Sequence, residues 1–153
     1  MFCSKKMNKK INRLHERALR IVYNNYRSTY EEMLREDGSL SVHHRNIHCL
    51  ATEMYKVRHD LCPPFIKDLF TYNESRNKFL RPNVRTVKMG DGSIRCFGPI
   101  VWNTMLPEYV KKSPSLNIFK ERIKSWVPTK CKCRLCNDHN NDCSCTICGG
   151  GEK

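Results

Sequence analysis

Apolar residues recur at helical spacing near the start of the chain. Ile11, Leu14, Ala18, Ile21 and Val22, with Asn25, share one face of a 3.6-residue repeat over 5–26. Lys6, Lys10, Arg13, Arg17 and Arg20 fall on roughly the opposite face. The spacing predicts an amphipathic helix whose apolar stripe docks on the body and whose basic ridge faces water. Ser28-Thr-Tyr-Glu31 reads as a capping box for a short helix through Arg35, stopped at Asp37-Gly38 because glycine takes the left-handed exit cheaply. A third helix is expected from Val42 to Leu61, capped by Ser41, with Ile47, Leu50, Ala51, Met54, Val57 and Leu61 as its stripe. Pro63-Pro64 ends it, and Phe65 to Phe70 allows one or two more turns.

Beyond Phe70 the helical period fades. Residues 71–83 read as a polar loop. Val84 to Met89 and Ser93 to Phe97 read as two short strands around Gly90-Asp-Gly92, a hairpin pattern. Gly98-Pro99 opens a segment from Ile100 to Met105 that Pro107 closes. A last helix is expected over Ser115 to Val127, with Ser115 as cap, Leu116, Phe119, Ile123 and Trp126 as its buried face, and Pro128 as its stop. The fold class that follows is mainly α: a small helical domain with a short β-hairpin, followed by a cysteine-rich tail.

Charge divides the chain differently. Lys and Arg total 28 and Asp and Glu 15, a net charge of +13. The first 60 residues hold twelve basic against seven acidic residues, and 61–130 hold thirteen against five. Residues 131–153 are neutral yet hold six of the ten cysteines. The composition therefore changes near Pro128, giving a basic helical region, 1–128, and a cysteine-rich tail, 129–153. Such a positive balance says nothing of fold but points to an anionic partner, nucleic acid first and a membrane surface second. No apolar run approaches the ~18 residues of a spanning helix, and Met-Phe-Cys-Ser-Lys-Lys lacks a signal peptide's apolar stretch. The expectation is an intracellular chain, nuclear or cytoplasmic, with no membrane partner. In a reducing compartment, ten cysteines suggest metal or free thiols.

Two features carry candidate chemistry. The basic ridge of the first helix is one; Lys111, Lys112, Lys120, Arg122 and Lys124 make a second basic cluster. Arginine's planar fork suits phosphate, and each neutralised phosphate releases counterions. The bland reading is a solvated helix face. The other feature is a repeat: Cys131-Lys-Cys133-Arg-Leu-Cys136 recurs twelve residues on as Cys143-Ser-Cys145-Thr-Ile-Cys148. A two-residue gap lets both sulfurs of a Cys-x-x-Cys knuckle reach one zinc ion, so Cys133, Cys136, Cys145 and Cys148 form a candidate structural zinc site, with Cys131, His139 and Cys143 as spare donors. The alternative is a tail of free thiols.

Other motifs are weaker. His43, His44 and His48 crowd one helix start, and the four-residue gap between the last two can bind metal from one face. Exposed or phosphate-reaching histidines are the expectation, since no Cys or acidic partner stands at matching spacing. Cys49, Cys62 and Cys96 are read as small buried hydrophobes, and Trp102 and Trp126 as packing aromatics, with base stacking as the alternative. Two-metal polymerases and nucleases need clustered carboxylates; the adjacent pairs, Glu31-Glu32 and Glu36-Asp37, read as solvated helix charge. No hydrolase elbow, phosphate-binding glycine loop or His-Glu-x-x-His motif occurs.

An ordered series of segments runs through the chain: Lys10-Ile-Asn-Arg-Leu-His-Glu-Arg-Ala-Leu-Arg-Ile-Val-Tyr23, Ser28-Thr-Tyr-Glu-Glu-Met-Leu34, His44-Arg-Asn46, Leu50-Ala-Thr-Glu-Met-Tyr-Lys56, Pro63-Pro-Phe-Ile-Lys-Asp-Leu-Phe70, Gly98-Pro-Ile-Val-Trp-Asn103, Leu106-Pro107, Ser115-Leu-Asn-Ile-Phe-Lys120 and Lys124-Ser-Trp126. In order and spacing it resembles the C-terminal region of jockey-like non-LTR (LINE-type) retrotransposon reverse transcriptases, over about 8–136. The resemblance implies origin in an RNA-directed DNA polymerase. It implies a supporting place downstream of the palm, in contact with template RNA, the RNA–DNA hybrid or target DNA. The palm's Tyr/Phe-Ala-Asp-Asp element is not in this sequence, so no catalytic residue carries over and a non-catalytic fragment is expected. The second cysteine triplet and Gly149-Gly-Gly151 depart from the pattern. The competing expectation is a protein-interaction module docking onto upstream polymerase domains through its apolar stripes. A thiol-redox or metal-buffering role would rest on the tail alone.

Overall fold

The computed structural model describes residues 5–83 and 93–127. They fall into two compact units, 5–46 and 47–127, with the division inside one helix. The architecture is mainly helical with one short antiparallel hairpin.

The first unit begins with α1, Lys5–Val22. It stops four residues before the periodicity does. Asn24 takes a left-handed conformation (φ 48°), and the Asn25 amide turns back to the Arg20 carbonyl at 3.1 Å. This is the exit usually built on glycine, here built on asparagine. The Asn25 side chain then accepts from the amides of Arg27 and Ser28, fixing the turn. Helix α2, Tyr30–Asp37, opens with a complete capping box, one residue later than the sequence suggests: Thr29 accepts from the Glu32 amide, and Glu32 accepts from the Thr29 amide. Gly38 (φ 65°) closes it as expected. Leu19, Met33 and Leu34 are buried together, with Tyr30 against them.

That core is small, and α1 does not bury its predicted stripe. Leu14 is 64% exposed, Ile21 71% and Val22 72%, and Ala18 is exposed too. Among the described side chains of α1, the buried positions are Leu19 and the polar Asn8. The stripe expectation is therefore corrected. The helix meets its unit along a flank next to the stripe, where His15 Nδ1 lies 2.7 Å from the Tyr30 hydroxyl.

Helix α3, Val42–Arg58, carries the core of the second unit. The His44 amide donates to Ser41 Oγ at 3.3 Å, the expected cap. Ile47, Leu50, Ala51, Met54 and Val57 are all buried. Leu61 is 54% exposed, because Asp60 takes the left-handed region (φ 56°) and turns the chain out before it. A single turn, α4, follows over Pro64–Lys67.

The hairpin is not where the sequence pattern put it. Strands β1, Tyr72–Asn73, and β2, Lys78–Phe79, pair antiparallel within the stretch read as loop. Two-residue strands show no alternation to read. The signal lies in the turn: Asn73 Oδ1 accepts from the Arg76 amide, and Asn77 is left-handed (φ 50°). The stretch Val84–Met89, expected as one strand of the other hairpin, lies outside the described residues. Its proposed partner, from Ser93 on, is instead α5, Ile94–Ile100, continued by a π-helical turn, Val101–Met105. Cys96, Phe97, Gly98, Pro99, Val101 and Trp102 are all buried, and a nearly unbroken buried run carries no period that separates strand from helix. Pro99 sits inside α5 rather than before it, and the widened turn after it joins the Leu106 amide to the Val101 carbonyl at 3.0 Å. Helices α6, Glu108–Lys111, and α7, Leu116–Lys124, complete the unit, α7 capped by Ser115. Phe119 and Ile123 are buried, and the Phe119 ring packs on Tyr55 at 4.4 Å.

Candidate nucleic-acid interface

Helix α1 holds seven basic residues and one acidic residue, Glu16. Lys10, Arg13 and Arg17 are exposed and stand at i, i+3 and i+7, so they form one ridge. Lys6 lies in the helix's first turn. Lys9, passed over in the sequence reading, is exposed and one turn from Arg13. Its signal was simply the four-residue spacing. Arg20 differs from the others: its guanidinium is 2.7 Å from Glu16, and its side chain is only 22% exposed. It belongs to a helix ion pair, leaving Lys9, Lys10, Arg13 and Arg17 as the ridge's outward charge among the described side chains.

In the second unit, Lys112, Lys120 and Lys124 are exposed, the last two one turn apart on α7. Lys111 is not comparable. Its side chain is 9% exposed, with Nζ 2.7 Å from Glu108. That contact holds the Glu108 carboxyl below its ordinary range. Arg122 donates to the Tyr109 carbonyl at 2.6 Å and lies 3.3 Å from Ser113 Oγ. It ties α7 to α6 and to the loop after it.

The histidine cluster is a correction. His43 and His44 are buried, and His48 is half-buried. His48 Nε2 donates to the Trp126 carbonyl at 2.8 Å, and the two rings stack at 5.6 Å. Burial lowers the His48 pKa, partly offset by that hydrogen bond. These are packing histidines rather than ligands held out to phosphate. Among the described residues no group of three His, Cys, Asp or Glu is placed to hold a metal ion. Cys96 is buried as expected, Cys62 is intermediate, and Cys49 is exposed, which corrects the reading of Cys49 as a core residue. Trp102 is buried and Trp126 is half-buried against His48, so both pack rather than stand open to bases. The zinc candidates Cys131, Cys133, Cys136, His139, Cys143, Cys145 and Cys148 lie outside the described residues.

The segment Gly98 to Asn103 builds the core. A Cβ on Gly98 would lie 2.6 Å from the sulfur of Met54 and 3.2 Å from Phe70, so a methyl there requires the buried Met54 side chain to shift. Asn103 accepts from the Phe79 amide at 3.0 Å and donates to the Phe79 carbonyl at 2.8 Å. Its amide group thus pairs with β2 as a further strand would. The Trp102 ring meets Phe79 edge-on at 5.7 Å.

Comparison with protein-family models, with curated proteins and with solved structures returns no match. Among the described residues no helix is long and apolar enough to cross a membrane.

Proposed function

We propose that this chain is a non-catalytic, nucleic-acid-binding part of a retroelement reverse transcriptase, gripping template RNA or target DNA by its phosphate backbone. The observation that carries the reading is the ridge of α1. Lys9, Lys10, Arg13 and Arg17 are exposed, and the helix's one carboxylate is taken up by Arg20. Lys120 and Lys124 on α7 add a second contact of the same kind. Charge of this type positions a backbone and reads little sequence. The ordered motifs support the origin, and their packing roles suit a supporting element. Zinc binding by Cys133, Cys136, Cys145 and Cys148 is a further part of the proposal, tested by whether zinc added to the reduced chain remains bound in native mass spectrometry and is lost in the fourfold Cys→Ser variant.

The direct test uses two labelled single-stranded RNAs of unrelated sequence. Both are expected to bind with similar affinity, and Arg13→Gln/Arg17→Gln to weaken both alike. Arg20→Gln is expected to do much less, since its charge is spent on Glu16. Absence of binding by protein with a helical circular dichroism spectrum would overturn the reading.

A further inference from the structure

The solvent-facing side of α1 has a definite register. Ile11, Leu14, Ala18 and Ile21 follow one another at spacings of three, four and three, the seam of a helix that packs along another helix. Leu14 and Ile21, the bulky positions, are 64% and 71% exposed, and Ala18 between them is exposed as well. Lys10 and Arg17 each precede a seam residue and so flank it on one side. The other flank is the one that packs within the unit through His15 and Leu19.

We propose that this seam is a docking surface for an acidic amphipathic helix of a partner protein, which would bury Leu14 and Ile21 and set Glu or Asp against Lys10 and Arg17. The charge on the rim selects the occupant. A second copy laid antiparallel would bring Lys10 and Arg17 against their own counterparts, and like charges across a helix seam disfavour pairing. A lipid surface suits a wide apolar face with aromatic anchors. Here the exposed bulk is Met7, Leu14, Ile21 and Val22, α1 contains no Trp or Phe, and the charge lies on one flank only. An acidic helix satisfies both the narrow seam and the one-sided rim. This inference goes beyond nucleic-acid binding: its apolar residues, Leu14 and Ile21, lie outside the ridge, while its rim charges, Lys10 and Arg17, are shared with it.

The probe is a synthetic heptad peptide with Leu and Ile along its seam and Glu on both flanks, compared with a scrambled peptide of equal composition. Fluorescence anisotropy is expected to show the heptad peptide binding the full chain and the scrambled peptide not binding. Leu14→Ser/Ile21→Ser should weaken peptide binding at least about tenfold while leaving RNA binding unchanged, because no charge is altered. Lys10→Glu/Arg17→Glu should lose the Glu-flanked peptide and gain a Lys-flanked one. The charge-reversed pair keeps the test decisive if the serine variant fails to fold. Equal binding of scrambled and heptad peptides would overturn the proposal. So would dimerisation of the chain through the same residues, or binding to phosphatidylserine vesicles without binding to the peptide.

Discussion

Gly98 and Asn103 show how single atoms hold the second unit together. Adding a Cβ at Gly98 forces it onto the Met54 sulfur in a fully buried position. Gly98→Ala is expected to cost about 1–3 kcal/mol by overpacking, read as a lower urea midpoint at unchanged slope. Asn103→Ala removes both bonds to Phe79, which is 2% exposed, and leaves a buried amide and carbonyl unpaired. A loss of about 1–3 kcal/mol is expected in the same measurement. His48 adds a pH dependence. Burial favours its neutral form, so its pKa in the folded chain lies below the unfolded value. The unfolded chain therefore takes up the proton first as pH falls. The contribution is fully present above about 6.5, the unfolded value, and is lost as pH drops through it toward the folded pKa. His15 and His59 are shifted in the same direction by burial, aided by Arg45 and Arg58. Thermal midpoints should fall between neutral and mildly acidic pH, and His48→Gln should flatten part of that fall. A midpoint that rises on acidification would contradict the assigned direction.

Among the elements, helix starts were easier to read than helix ends. Ser41 and Ser115 announce themselves by residue type, whereas the capping box reads one residue early, at Ser28–Glu31, because Ser28 and Thr29 are both good caps; Thr29→Ala is expected to cost about 0.5–2 kcal/mol by removing the Thr29–Glu32 cap. Chemical denaturation of the variant checks it. Gly38 was legible as a stop, but Asn24 and Asp60 were not, because asparagine and aspartate take the left-handed exit only where the following chain rewards it. The hairpin at Tyr72–Phe79 was missed for a related reason: its pairing is secured by Asn103, 24 residues further on, which no local window contains. The ridge of α1 was legible in part: spacing gave Lys10, Arg13 and Arg17, but not Lys9 or the pairing of Arg20 with Glu16. Its apolar stripe was legible as a stripe, while the side that packs was not, because periodicity identifies an apolar face without naming what covers it. His43, His44 and Cys49 were misread the same way, from residue type without burial.

For the whole molecule, the decisive property is the net charge of +13 and whether its exposed part on α1 meets phosphate. The most direct measurement is the affinity of the intact chain for a labelled single-stranded RNA across a salt series. Each neutralised phosphate contributes about 0.7 to the log–log slope. With Lys9, Lys10, Arg13 and Arg17 engaged, the slope should be about −3 or steeper, and Arg13→Gln/Arg17→Gln should flatten it by about 1.4. A slope unchanged by that double substitution, or no binding by the folded chain at low salt, would contradict the account.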